Sequence, residues 1–141
     1  MDARAIIDSG FIAALWDRRD PLHAWAAATA PSVKGPWLTC EGCISEMAFL
    51  LGDGMGSAAV LDLYDQLERG LIVSLHLVPE ELARVRAETA RYRGRIVDFA
   101  DACLMSLSDQ HPRLPIVTTD VHDFAVYLRG RSARKLIAPG V

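Results

Sequence analysis

The chain has 141 residues, 51% hydrophobic and 23% charged, the size and balance of one globular domain spanning 1–141. These fractions exclude a disordered chain, a collagen-like repeat and a coiled-coil rod as whole-chain readings. The 15 basic against 18 acidic side chains give a formal charge of −3, which excludes an all-round basic coat for nucleic acid but not a local basic patch.

Met1-Asp2-Ala3-Arg4 carries no basic stretch ahead of a long apolar one, so no signal peptide is expected. No apolar run approaches the ~18 residues of a membrane helix. Cys40, Cys43 and Cys103 are an odd number of cysteines, which argues against a secreted disulfide framework. A cytoplasmic protein with reduced thiols is expected.

Ala5-Ile6-Ile7 is a short apolar run that stops on Asp8, the pattern of a buried parallel strand. A short helix follows over Phe11 to Trp16, and Asp20-Pro21 predicts a helix start running through Trp25 to about Ala30. After Gly35-Pro36, Trp37-Leu38-Thr39 predicts a strand. Residues 41–51 predict a helix ended by Gly52 and Gly54. Ser57 is expected to cap a helix to Glu68, which Gly70 closes, and Leu71 to Leu75 is a strand. Pro79-Glu80-Glu81 opens a helix with its acids in the first turn, where the helix dipole favours them. A helix over about Val97 to Asp109, a strand at Pro115–Thr118, a short helix at Asp123–Leu128 and a strand at Lys135–Ala138 complete the chain. Strands alternating with helices predict an α/β fold, a parallel sheet covered on both faces.

Four acids occupy positions where charge is expensive. Asp8 ends the first strand, and Asp120 follows the strand ending at Thr118. Glu46 and Asp101 interrupt otherwise apolar helices. In open α/β sheets, ligands bind beyond the carboxyl ends of strands at the switch in strand order, so Asp8 and Asp120 converge if their strands are neighbours. Two unit charges ~4 Å apart repel by roughly 4 kcal/mol at an effective dielectric of 20. A hard divalent cation relieves that, and an all-oxygen site suits Mg²⁺ or Mn²⁺. Such a site in a wet cleft suits phosphodiester hydrolysis. Bland readings compete: Asp8 as a helix cap, Glu46 as an arginine partner, Asp120 as a turn residue, Asp98 as an N-cap and Asp123 as the cap of the short helix.

The segments Ile6-Ile7-Asp8-Ser9, Ser45-Glu46-Met47-Ala48-Phe49-Leu50-Leu51, Asp98-Phe99-Ala100-Asp101-Ala102 and Val117-Thr118-Thr119-Asp120-Val121-His122-Asp123-Phe124 together resemble a PIN domain, of the VapC-like toxin type. The resemblance covers essentially the whole chain. It implies a three-layer α/β/α fold with five parallel strands in the order 3-2-1-4-5. It also implies a Mg²⁺-dependent (or Mn²⁺-dependent) endoribonuclease that serves as the toxin of a toxin–antitoxin pair. Asp8, Glu46, Asp101 and Asp120 take the places of the family's metal-binding acids. Asp98 and Asp123 are further acids beside them, and Ser9 and Thr118 supply nearby hydroxyls. The implied partners are RNA, a second copy of the chain and an antitoxin. A non-catalytic interaction module of the same fold is the alternative.

Cys40-Glu41-Gly42-Cys43 departs from that family and resembles a thioredoxin-type redox motif at a strand-to-helix turn. A thiol oxidoreductase leaves the four acids unexplained, and a structural zinc site lacks a fourth well-spaced ligand. Basic residues cluster at Arg84, Arg86, Arg91, Arg93 and Arg95, and again at Arg129, Arg131, Arg134 and Lys135. Arg91, Arg93 and Arg95 are candidates for phosphate contacts that hold RNA without reading its sequence; a solvated helix face is the competing reading. Phe11, Trp16, Trp25 and Phe49 are expected mostly in the core, with Trp16 and Trp25 as candidates for an exposed partner surface.

Overall fold

A computed structural model describes residues 2–92, 94–129 and 135–141; Arg93, Arg131 and Arg134 lie outside the described residues. The elements run β1 (Ala5–Ile7), α1 (Ser9–Trp16), α2 (His23–Thr29), a 3-10 turn (Ala30–Val33), β2 (Trp37–Cys40), α3 (Glu41–Met55), α4 (Ser57–Glu68) and β3 (Ile72–Leu75). They continue with α5 (Pro79–Arg91), α6 (Phe99–Gln110), β4 (Ile116–Val117), α7 (Val121–Tyr127) and β5 (Leu136–Ile137). The strands form one parallel sheet in the order β3-β2-β1-β4-β5, which is the expected topology. No helix among the described residues is long and apolar enough to cross a membrane.

The central strand β1 is wholly buried, as both faces of the sheet are covered. Ile6 and Ile7 lie opposite Ile116 and Val117 of β4, and Ile6 lies opposite Leu38 of β2. The switch in strand order therefore falls between β1 and β4. Their carboxyl ends carry Asp8 and Thr118-Thr119-Asp120. Phe11 fills the core beside β1, edge-on to Trp25 and Trp37 at centroid distances of 6.0 and 5.4 Å. Trp16 and Trp25 pack partly buried against the core. Phe49, expected inside, is 71% exposed on α3.

Helix ends differ from expectation for identifiable reasons. α3 runs through Gly52 and Gly54 to Met55 and ends at Gly56, whose φ of 82° is the left-handed conformation that stops a helix. Gly52 and Gly54 instead serve contact: a Cβ on Gly54 would sit 3.0 Å from Asp17 Oδ2, and one on Gly52 3.3 Å from Val60 Cγ2. Ser57 is the first residue of α4 and makes no side-chain cap; Gly56 holds the cap position. The helix expected from Asp20-Pro21 starts at His23, because Asp20 Oδ1 accepts the Leu22 N–H at 2.8 Å within a preceding turn.

Gly42 lets the start of α3 rest on the start of α6. A Cβ there would lie 3.0 Å from Phe99 Cδ2 and 3.1 Å from the Ala100 Cα. Backbone cannot swing aside as a side-chain tip does, so Gly42→Val is expected to destabilise the protein by about 2 kcal/mol through overpacking. A lower urea midpoint at unchanged m-value checks this.

Candidate metal and nuclease site

Three acids at the carboxyl edge of the sheet each cap a helix start. Asp8 caps α1: its Oδ1 accepts the Phe11 N–H at 2.9 Å. Asp98 caps α6, accepting the Asp101 N–H at 2.8 Å. Asp120 caps α7, accepting the Asp123 N–H at 3.1 Å. The cap of α7 is thus Asp120 rather than Asp123, and the helix begins two residues earlier than expected. An N-cap carboxylate gains both a hydrogen bond and the positive end of the helix dipole. The bland reading of Asp8, Asp98 and Asp120 as caps is therefore real, and it coexists with their convergence.

Thr118 ties two of these acids together. Its hydroxyl donates to Asp8 Oδ2 and accepts the Asp120 N–H at 2.9 Å. Gly10 makes room for this corner, since a Cβ there would overlap the Thr119 hydroxyl. On α3, Glu46 is exposed, and its Oε2 accepts the Ser9 hydroxyl at 2.7 Å. Ser9 therefore aims Glu46 toward the residue next to Asp8.

One carboxylate oxygen each from Asp101, Asp120 and Asp123 lies within 4.8 Å of the others. Asp8 feels the charge of Asp120, and Asp101 feels that of Glu46. The sequence-predicted acids thus share one electrostatic neighbourhood, and the tightest group among the described residues includes Asp123 in place of Asp8 and Glu46. Hard, anionic oxygen donors of this kind fit Mg²⁺ or Mn²⁺. Burial pushes the Asp8 carboxyl up to about 6, against the lowering effect of its Thr118 and Phe11 hydrogen bonds. Burial, then the neighbouring Asp98 charge, pushes Asp101 up to about 7. Burial also raises Asp120, with the Asp123 charge adding to it.

Tyr127 and Arg95 complete the site. The Tyr127 hydroxyl donates to Asp101 Oδ2 at 3.2 Å. Arg95 pairs with Asp123. The sequence offered little sign of Tyr127, whose position one turn after Asp123 on α7 is also the spacing of a core residue, and it is indeed buried. Arg91 is exposed on the last turn of α5, its guanidinium 6.0 Å from the Tyr92 ring centre. Arg84 belongs to structure instead: it pairs with Glu81 at 2.6 Å and meets Gln110 at 3.2 Å, fastening α5 to α6. Arg129 and Lys135 are exposed.

The Cys40 thiol is in contact with those of Cys43 and Cys103. Cys40, Cys43 and Cys103 are free and buried. The hydrogen bond with Cys103 lowers the Cys40 thiol, but the Cys43 contact and burial outweigh it and raise it overall; contact with Cys40 and burial raise Cys103. The raised Cys40 and Cys103 thiols are poor nucleophiles. They are packing residues where α3 and α6 start.

Asp8 titrates above the 3.8 of an ordinary carboxyl, so between about pH 4 and 6 the folded state binds more protons than the unfolded one. Its cost is therefore absent at low pH and grows as pH rises through that window. In metal-free buffer, Asp8→Asn is expected to gain roughly 3 kcal/mol over wild type at pH 7.5, and little at pH 4. Urea unfolding of both proteins at the two pH values tests this; equal differences at both would refute the assignment.

No family model and no curated protein sequence matches the chain. Among solved structures it is similar to the VapC20 toxin of Mycobacterium tuberculosis, a sarcin–ricin loop cleaving toxin. The TM-score is 0.76 at 20% identity, over 86% of this chain and 94% of that one. A likeness at that identity is one of fold: the chain has the three-layer α/β/α, PIN-like architecture of a VapC toxin.

Proposed function

We propose that the protein is a divalent-metal-dependent endoribonuclease and the toxin of a toxin–antitoxin pair. One observation carries the reading: Asp101, Asp120 and Asp123 converge to within 4.8 Å, beside Asp8 and Glu46, at the strand-order switch of a fold shared with an RNA-cleaving toxin. Asp8, Asp101 and Asp120 are held there with raised pKa values, which supports a functional site.

Asp8, Glu46, Asp101 and Asp120 are the residues we assign to holding Mg²⁺ or Mn²⁺, with Asp123 beside them. When bound, the ion polarises the scissile phosphate and lowers the pKa of water. The chain's own residues orient that centre. Thr118 holds Asp8 and the Asp120 backbone in one register, Ser9 fixes Glu46, and Tyr127 fixes Asp101. Asp98 stays committed to the α6 cap. We assign Arg91, which is exposed, together with Arg93 and Arg95 to contacts with RNA phosphates. RNA as substrate makes the cytoplasm its compartment. Exposed Phe49, Leu50, Leu61 and Tyr64 on α3 and α4 support a protein-binding face for the antitoxin or a second copy of the chain.

Asp101→Asn is expected to reduce cleavage by about 100-fold or more, while Asp98→Asn, which keeps a capping oxygen, costs far less. The substrate panel includes an RNA hairpin carrying the sarcin–ricin loop, and EDTA should stop cleavage until Mg²⁺ or Mn²⁺ is restored. Undiminished cleavage by nuclease-free Asp101→Asn, or in EDTA, would overturn the reading. A reversed order of the Asp98 and Asp101 variants would move the ligand one helical turn.

A further inference from the structure

Arg95 sits in the short connection between α5 and α6, on the rim of the carboxylate cluster. Its guanidinium pairs with Asp123 and lies over the Tyr127 ring, Cζ 5.4 Å from the centre. Tyr127 is buried, donates to Asp101, and accepts the Tyr92 hydroxyl on its own carbonyl at 2.8 Å. The Arg95 N–H in turn donates to the Tyr92 carbonyl at 3.1 Å. An aromatic platform thus holds one cation against one member of the metal-sized group.

The arrangement leaves the arginine imperfectly satisfied. Its Nε is buried with no hydrogen-bond partner among the described residues. A guanidinium committed to a permanent structural pair normally offers its Nε edge to the carboxylate as well, in a two-pronged contact. Both partners also keep about a third of their side chains in solvent, at 32% and 33%, so the pair has a route apart.

We infer that Arg95 is a resident counter-cation of the carboxylate cluster, competing with the divalent ion for Asp123 and thereby setting the affinity for metal. This rests on the metal-dependent reading above. Three carboxylates this close repel one another, and a single guanidinium offsets part of that repulsion. An incoming ion either displaces the guanidinium from Asp123 or binds within its opposing field. A double and a single positive charge ~6 Å apart, in a water-like dielectric, weaken binding by about tenfold. Arg95 differs in this from Arg91, which pairs with no acid of the cluster and is assigned only to phosphate.

Mn²⁺ titration into metal-free protein, followed by calorimetry or by the spectrum of free Mn²⁺ without RNA, tests the inference apart from catalysis. Arg95→Met and Arg95→Gln are expected to bind Mn²⁺ about tenfold more tightly than wild type. Arg95→Lys, which keeps the charge, should stay near wild type. The two neutral variants should also gain more thermal stability from a fixed Mn²⁺ concentration. A merely structural arginine predicts unchanged or weaker binding in both neutral variants, and that result overturns the inference while leaving the metal site standing. No Mn²⁺ binding by any of the four proteins removes the metal reading and this inference with it. Using two neutral variants keeps the test decisive if one fails to fold.

Discussion

The parallel pairing of β1 with β4 is the constraint on which the site depends. Its register sets Ile7 beside Val117, so the next residue on each strand, Asp8 and Thr118, meet at the carboxyl edge. These positions are separated by 110 residues, and the Asp8 N–H also donates to the Val117 carbonyl at 3.2 Å. A shift of one residue in either strand would turn one side chain to the opposite face of the sheet, and the Thr118 hydroxyl would no longer bridge Asp8 to the Asp120 backbone. Complete burial of Ala5, Ile6 and Ile7 resists such a shift, since any slip exchanges well-packed apolar contacts on both faces. The apolar core therefore sets the precision of the polar site.

Acids at helix starts are the device that makes the site tolerable. Asp8, Asp98 and Asp120 each accept a backbone N–H that would otherwise lack a partner. Each capping bond is worth typically ~1 kcal/mol, which offsets part of the cost of bringing like charges together. The offset is incomplete. Desolvation still outweighs the caps at Asp8 and leaves its carboxyl at about 6. A residue chosen for stability alone would be an uncharged cap such as Asn or Ser. Keeping Asp there is a stability cost of the kind borne at functional sites.

The strands and the acids Asp8, Glu46, Asp101 and Asp120 stand out in the sequence because each has a local signal, a short apolar run with an acid after it or a charge within an apolar helix; the strand order has no local signal and follows from the family resemblance alone. Glu46 shows the limit of that logic. Its neighbours in sequence are apolar, yet α3 exposes it together with Phe49 and Leu50, so an apolar stretch did not mean a buried one. Gly52 and Gly54 carried the local mark of a helix end and turned out to serve close contact with Val60 and Asp17. Tertiary packing overrode the local preference there. Asp123 was misplaced as a cap because Asp120 is equally able to cap and stands three residues earlier. The pairing of Arg95 with Asp123 joins residues 28 apart and has no local signature in the sequence.

The cysteine motif shows why composition at a strand-to-helix turn is weak evidence. Cys40 caps α3 without a side-chain hydrogen bond to that helix, and its thiol instead points to the Ala100 carbonyl at 3.8 Å. That contact joins the end of β2 to the second residue of α6. Gly42, two residues on, brings the same two helix starts together by having no side chain. The segment that looked like redox chemistry is therefore a spacer. Small residues at 40, 42 and 43 set the separation between α3 and α6, and with it the separation of Glu46 from Asp101. A larger side chain here would act on the carboxylate cluster without touching any of its acids.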